Sequence, residues 1–203
     1  MKKLISLMAW LVALPGTAFS QVSFTDVSTS AGMTYQGETY GAAWGELNGD
    51  ALPDLFANNH QTRPSLYVNQ GNGTFVDIGG NVTIWKRKPT MDTHGGSWAD
   101  VENDGDLDLI VTTGRGNPSQ FFINEGGTLV YSPVEYGLGD IIPAGRLHVW
   151  FDYDLDGLLD NILNSWSTPS ELLKGSGTGF TSNSNAVNFY CVKGHYGLLL
   201  DVT

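Results

Sequence analysis

Residues Asp152–Asp160 read DYDLDGLLD, with carboxylates at the first, third, fifth and ninth places. Four like charges in nine residues repel one another at neutral pH, so such a loop is unfavourable unless something opposes the repulsion. The pattern occurs three times. Glu46–Asp54 reads ELNGDALPD and Asp100–Asp108 reads DVENDGDLD. The starts, at 46, 100 and 152, lie 54 and 52 residues apart. A fixed period of this size marks structural units that stack or radiate.

The repetition extends outward from the loops. A tryptophan stands two residues before each one: Trp44, Trp98 and Trp150. A short apolar run follows directly: Leu55-Phe56-Ala57, Leu109-Ile110-Val111 and Asn161-Ile162-Leu163. A second run comes next, at Ser65–Asn69, Gln120–Asn124 and Glu171–Lys174. Then comes a glycine turn, at Gly71-Asn72-Gly73, Gly126-Gly127 or Gly175-Ser176-Gly177, and a last run opening with Phe75, Leu129 or Phe180. Each unit reads as strand, acidic loop, strand, link, strand, glycine turn, strand. Four antiparallel strands in about fifty residues describe a propeller blade, so the fold class is an all-β propeller. Repeat-periodic tryptophans are expected to pack between blades.

The repeats cover approximately residues 39–80, 93–132 and 145–183, with an incomplete copy at 193–203 in which His195–Val202 aligns with His94–Val101. Ser23-Phe24-Thr25-Asp26-Val27 resembles the fourth strand Thr74–Ile78 but precedes any first strand. In a ring, such a strand completes the last blade and removes the exposed sheet edges. Residues 21–203 are therefore expected to be the N-terminal part of a larger propeller.

Met1-Lys2-Lys3, an apolar run from Leu4 to Leu14 and Ala18-Phe19-Ser20 have the form of a secretory signal peptide over residues 1–20. Its removal takes the formal charge from −11 to −13, and no later segment is apolar for long enough to span a bilayer. Such acidity argues against a nucleic-acid partner and is compatible with a cation. The one basic knot, Lys86-Arg87-Lys88, reads as a solvated loop. Cys191 has no second cysteine to pair with, so disulfides cannot stabilise this exported chain.

Oxygen donors at places 1, 3, 5 and 9, with the carbonyl at place 7, can converge on a hard cation, and calcium suits such a flexible cage better than magnesium. The bound ion turns repulsion into attraction and couples binding to folding. An EF-hand is excluded, because it requires a bidentate Glu at place 12 and flanking helices. Here that place holds Ala57, Val111 or Leu163, between strand-like runs.

The D-x-D/N-x-D-G-x-x-D loop between strands, followed by the Leu66–Phe75 hairpin LYVNQGNGTF, resembles FG-GAP and VCBS-type repeats. These occur in integrin alpha propellers and in acidic proteins of the ASPIC/UnbV group. The segments Phe24–Val27 and Ala31-Gly32-Met33 resemble a recurrent stretch of that group. The resemblance implies a calcium-binding propeller, commonly seven-bladed, outside the cytoplasm. Carried over, it assigns Asp152, Asp154, Asp156, Asp160 and the Leu158 carbonyl to the third site. It assigns Asp100, Glu102, Asp104, Asp108 and the Asp106 carbonyl to the second, and Glu46, Asn48, Asp50, Asp54 and the Leu52 carbonyl to the first. The first should be weakest, since Ala51 replaces the glycine and an alanine at left-handed φ costs roughly 1–2 kcal/mol.

Two functions follow. One is a binding, scaffold or adhesion-type module whose ring surface engages a protein or glycan in the periplasm, at the cell surface or outside the cell. The other is the propeller of an extracytoplasmic carbohydrate-active lyase or hydrolase. The binding module is favoured. Most clustered carboxylates belong to the loops, and no G-x-S-x-G, H-E-x-x-H or Walker pattern is present. Gly175-Ser176-Gly177-Thr178-Gly179 lacks the lysine of a phosphate loop. His60, His94, His148 and His195 are scattered, and His94 and His195 share a repeat position that packing explains.

Overall fold

The computed structural model describes residues 22–87, 92–114, 117–132, 145–165 and 169–184. The leader segment, Cys191 and the incomplete fourth copy with His195 lie outside them. Among the described residues twelve strands form three four-stranded antiparallel sheets. The first holds β1 (Ala42–Gly45), β2 (Asp54–Ala57), β3 (Ser65–Asn69) and β4 (Phe75–Asp77). The second holds β5 (Thr93–Ala99), β6 (Asp108–Thr113), β7 (Gln120–Asn124) and β8 (Leu129–Tyr131). The third holds β9 (Gly145–Phe151), β10 (Asp160–Ser165), β11 (Glu171–Gly175) and β12 (Phe180–Ser182). Every sheet is a meander in chain order. These are three consecutive propeller blades.

The register is the same in each. Trp44 pairs with Leu55, Trp98 with Leu109 and Trp150 with Asn161. The first strands lie side by side, β1 against β5 and β5 against β9, so they form the inner ends of the blades. The second strands β6 and β10 are buried along their whole length. A strand covered on both faces reads as a continuous run rather than an alternation, as Leu109-Ile110-Val111 does.

Two apolar cores hold the blades together. Phe56, Leu66, Trp85, Leu109, Val111 and Phe122 fill the space between the first and second blades. Ile110, Phe121, Leu163, Leu173 and Phe180 fill that between the second and third. The repeated tryptophans join neighbours as expected. Trp98 Nε1 donates to the Ala43 carbonyl at 3.1 Å, and Trp150 Nε1 to Ser97 Oγ at 3.0 Å. Two glycines make the approach possible: a Cβ at Gly45 would fall inside the Trp98 ring, and one at Gly96 would come 2.7 Å from the Phe56 ring. Trp44 differs. No described blade precedes it, and it is 59% exposed.

The structure departs from the sequence reading in the link between the first two blades. Lys86 and Arg87 lie not in a loop but at the end of a short helix, α1 (Thr83–Arg87), in the link between the first two blades. Trp85 of this helix is fully buried against Phe56 and Phe122, with Nε1 bonded to Gln120 Oε1 at 3.0 Å. Ser23–Val27, expected to complete the last blade of a ring, has no such blade among the described residues; it forms no strand, and Phe24 is 95% exposed. Its likeness to β4 survives in the turn that follows: Asp26 accepts the Ser28 amide as Asp77 accepts that of Gly79. A strand needs a partner to satisfy its backbone, and no described strand offers one here. Packing at the blade interface predicts that Gly96→Ala costs about 1–3 kcal/mol by overpacking and Trp98→Ala about 3 kcal/mol, both read from urea unfolding of the purified chain.

Candidate functional site

All three acidic loops join a first strand to a second strand and emerge on one face of the molecule. They share one backbone conformation. The fourth and sixth places lie at left-handed φ in each: Gly49 and Ala51, Asn103 and Gly105, Leu155 and Gly157. The strain argument that singled out Ala51 (φ 64°) therefore applies equally to Leu155 (φ 61°) of the third loop. What still distinguishes the first loop is its smaller negative charge, with Asn48 at the third place.

The carboxylates hold this conformation by accepting backbone N–H groups. In the third loop Asp152 accepts the amides of Asp156 (3.1 Å) and Gly157 (2.9 Å), and Asp156 accepts that of Leu158 (3.0 Å). In the second, Asp100 accepts those of Asp104 and Gly105, and Asp104 that of Asp106, all at 3.0 Å. In the first, Glu46 Oε1 gathers the amides of Asn48 and Gly49 at 2.8 Å, and Asp50 takes that of Leu52. The Asp106 side chain instead reaches the β7–β8 turn, accepting from Gly126 N at 3.2 Å.

The ninth-place aspartates are different in kind. Asp54, Asp108 and Asp160 are buried. One oxygen of each accepts the amide of the loop's second residue: Leu47, Val101 or Tyr153, each at 2.9 Å. The other accepts the amide at the end of the third strand: Asn69 (2.8 Å), Asn124 (3.0 Å) or Gly175 (2.8 Å). Each carboxylate thus ties a loop to a strand two elements away. Burial pushes Asp108 up to about 6 against the pull of its two amide bonds, and raises Asp54 for the same reason. Asn124 adds a link between blades, its Nδ2 donating to the Leu47 carbonyl of the first loop at 2.8 Å.

The third loop brings the most charge together. One carboxylate oxygen from each of Asp152, Asp154 and Asp156 lies within 4.8 Å of the others. The Lys174 ammonium sits against this group, bonded to Asp154 and, at 2.7 Å, to Asp156. Those bonds hold the Asp156 carboxyl below its ordinary range and raise the lysine. An ammonium drawn to that position is a stand-in cation, and an all-oxygen donor set on a turn suits calcium better than a softer metal. The matching places in the other blades are Val68 and Ile123, so only the third loop carries this internal cation.

The histidines divide. His148 is buried, with Nδ1 2.8 Å from Asn161 Oδ1, and burial pushes it down to about 4. Its Nε2 is buried without a partner, but no second histidine or carboxylate groups with it among the described residues. His94 differs: it lies at a bulge in β5, facing His60 and Asp92 at the end of the blade away from the acidic loop. Sequence reasoning missed this grouping. Its one linear trace is Asp92-Thr93-His94, two chemistry-bearing residues two places apart.

Comparison with known proteins supports the repeat reading. Residues 46–111 match the FG-GAP-like repeat family. The chain is similar to cartilage acidic protein 1 of Mus musculus, 28% identical over 95 residues, or 47% of this chain and 14% of the relative. The Xenopus tropicalis protein of that name is 24% identical over 146 residues, 71% of this chain and 22% of the relative. The chain therefore matches less than a quarter of the length of these relatives. Among the described residues no helix is long and apolar enough to cross a membrane.

Removing a buried carboxylate that satisfies two amides costs more than removing an exposed one that satisfies a lysine. Asp160→Ala is expected to lower stability in chelator by about 2–4 kcal/mol, and Asp154→Ala by under about 1 kcal/mol. Urea unfolding of the two variants in chelator checks the difference.

Proposed function

We propose that the chain is part of an extracytoplasmic β-propeller, stiffened by calcium, that binds a protein or glycan ligand. The observation that carries this reading is the third loop: three carboxylates drawn within 4.8 Å on a strained turn, with an ammonium held against two of them. In this reading Asp152, Asp154 and Asp156, with Asp160 and the Leu158 carbonyl, take a calcium ion, and the ion displaces Lys174. The corresponding residues of the other two loops do the same. The ninth-place aspartates contribute through lone pairs beyond those given to their amides.

Three further features complete the reading. Residues 1–20 direct export. The blades belong to a ring, commonly of seven, in which Ser23–Val27 joins the last blade and that blade covers Trp44. The FG-GAP-like repeat and the similarity to cartilage acidic protein 1 support a binding role outside the cytoplasm. A carbohydrate-active enzyme is the second reading, favoured only by the polar group around His94. A glycan-cleavage screen separates the two, because turnover lost on substituting His94 and kept on substituting the loop aspartates would replace the binding module with an enzyme.

Affinities for exported calcium modules of about 10⁻⁴–10⁻³ M predict about 1–2 kcal/mol per site in 5 mM calcium. The melting temperature should rise by several degrees. Asp156→Ala should remove more of that rise than Asp50→Ala, and Lys174→Met should tighten calcium binding at the third loop several-fold. Equal melting in calcium and in chelator would overturn the calcium reading.

A further inference from the structure

The acidic loops occupy one face of the blades. The opposite face, roughly 20 Å away along a six-residue stretch of strand, carries a different chemistry. The sixth residue before each loop is Tyr40, His94 or Arg146. His94 and Arg146 occupy the irregular positions in β5 and β9, where the register with β6 and β10 shifts. Such bulges re-aim side chains and recur beside active sites. Here they bring the three residues together: Tyr40 stacks on His94 at 5.7 Å, and Arg146 reaches His94 Nδ1. His60, from the β2–β3 link, and Asp92, just before β5, complete the group.

We propose that His60 Nε2, His94 Nε2 and Asp92 Oδ1 form a site for a divalent first-row transition ion of the zinc class. Its chemistry and its place on the opposite face separate it from the calcium loops, so either assignment can fail without the other. The three donor atoms lie within 4.8 Å of one another. Asp92 Oδ1 is 2.7 Å from His60 Nε2 and 3.2 Å from His94 Nε2. With bonds of about 2.0–2.1 Å, the donors of a tetrahedral ion stand roughly 3.3 Å apart. A small opening of the two Asp92 contacts would therefore match that spacing. Two imidazoles and a carboxylate are a donor set for zinc and its neighbours, whereas calcium and magnesium prefer oxygen alone.

One observation points to a ligand rather than to an inert cluster, and a second orients the ring that would bind it. His94 Nε2 is buried, faces Asp92 and makes no hydrogen bond of acceptable geometry. Gly114 leaves space beside it, for a Cβ there would collide with both His94 Nε2 and Asp92 Oδ2. The second concerns His60. Its Nδ1 lies 2.8 Å from Glu38 Oε2, and an ionised carboxylate only accepts, so Nδ1 holds the ring proton. His60 Nε2 then presents a lone pair to the Asp92 oxygen, and two such atoms 2.7 Å apart require a cation between them, a proton or a metal. Carboxylate, histidine and metal in line is the usual outer-shell arrangement of metal centres. Arg146 opposes loading. It donates to His94 Nδ1, which places the proton of that ring on Nε2; the ion needs the other tautomer, so Arg146 must release Nδ1. Three protein donors leave a fourth position for water or a ligand.

The test is titration of the purified full-length chain with Co²⁺, in excess calcium to saturate the acidic loops. The expected result is one equivalent bound with visible ligand-field bands, displaced by Zn²⁺. His60→Gln and His94→Gln should each weaken binding at least ~100-fold, and Glu38→Gln by ~10–100-fold through its effect on His60. Arg146→Met should tighten binding, and Asp156→Ala should leave it unchanged. Absence of bands in the unmodified chain overturns the proposal, as do unchanged bands and affinity in the histidine variants. Glu38 is 70% exposed, so its variant keeps the test decisive if a histidine variant fails to fold: cobalt affinity unchanged in Glu38→Gln also overturns it.

Discussion

The architecture depends on a buried carboxylate that holds two backbone amides at once. In each blade an aspartate at the start of the second strand accepts one amide from the acidic loop before it and one from the end of the third strand. These bonds close the loop and fix the depth at which the third strand ends. A buried charge is costly unless hydrogen-bonded, and two amide donors per carboxylate meet much of that cost. Burial still raises Asp108 to about 6, a sign that the compensation is incomplete and that a nearby positive charge would relieve what remains.

That division of labour changes the meaning of the acidic clusters. As a string, DYDLDGLLD is four equivalent charges. In the fold, Asp160 is a structural tie, Asp152 and Asp156 clamp the turn through amides, and Asp154 meets a lysine. Left-handed backbone at the fourth and sixth places is common to all three loops. Leu155 accepts that strain while 87% exposed, with no packing in return. Strain of this kind persists where the surroundings over-determine it, and it gathers at functional sites. The amide-filled carboxylates supply that over-determination.

The blades were legible in the sequence because each element had a local signal repeated in register. Loop, tryptophan, apolar runs and glycine turn recur at nearly fixed spacing, and β3 and β7 span the residues that the pattern marks. What lacked a repeat stayed hidden. Helix α1 is only five residues long, too short for an amphipathic period to announce it, although Trp85 anchors the first interface. Ser23–Val27 carries the pattern of a strand and is not one here, because pairing is a property of two segments and the string shows one. Within the loops, residue types were legible but roles were not, since the ninth place matched the others in chemistry and differed only in burial.

The His94 group shows the same limit from the other side. Its members come from three separate stretches, at 38–40, 60 and 92–94, and join Arg146 from the third blade. Repeat logic treats a shared position as shared packing, and that holds for Trp98 and Trp150. At the bulges it fails. An extra residue in one strand leaves the ladder, and its side chain is free of the alternation that governs its neighbours. In β5 and β9 the sixth place before the loop stands at such a bulge, where the residue can change without breaking the ladder. Tyr40, His94 and Arg146 differ where Trp44, Trp98 and Trp150 do not. A scaffold that repeats its loops on one face and varies its bulges on the other keeps the residues that hold its shape apart from those that differ between blades.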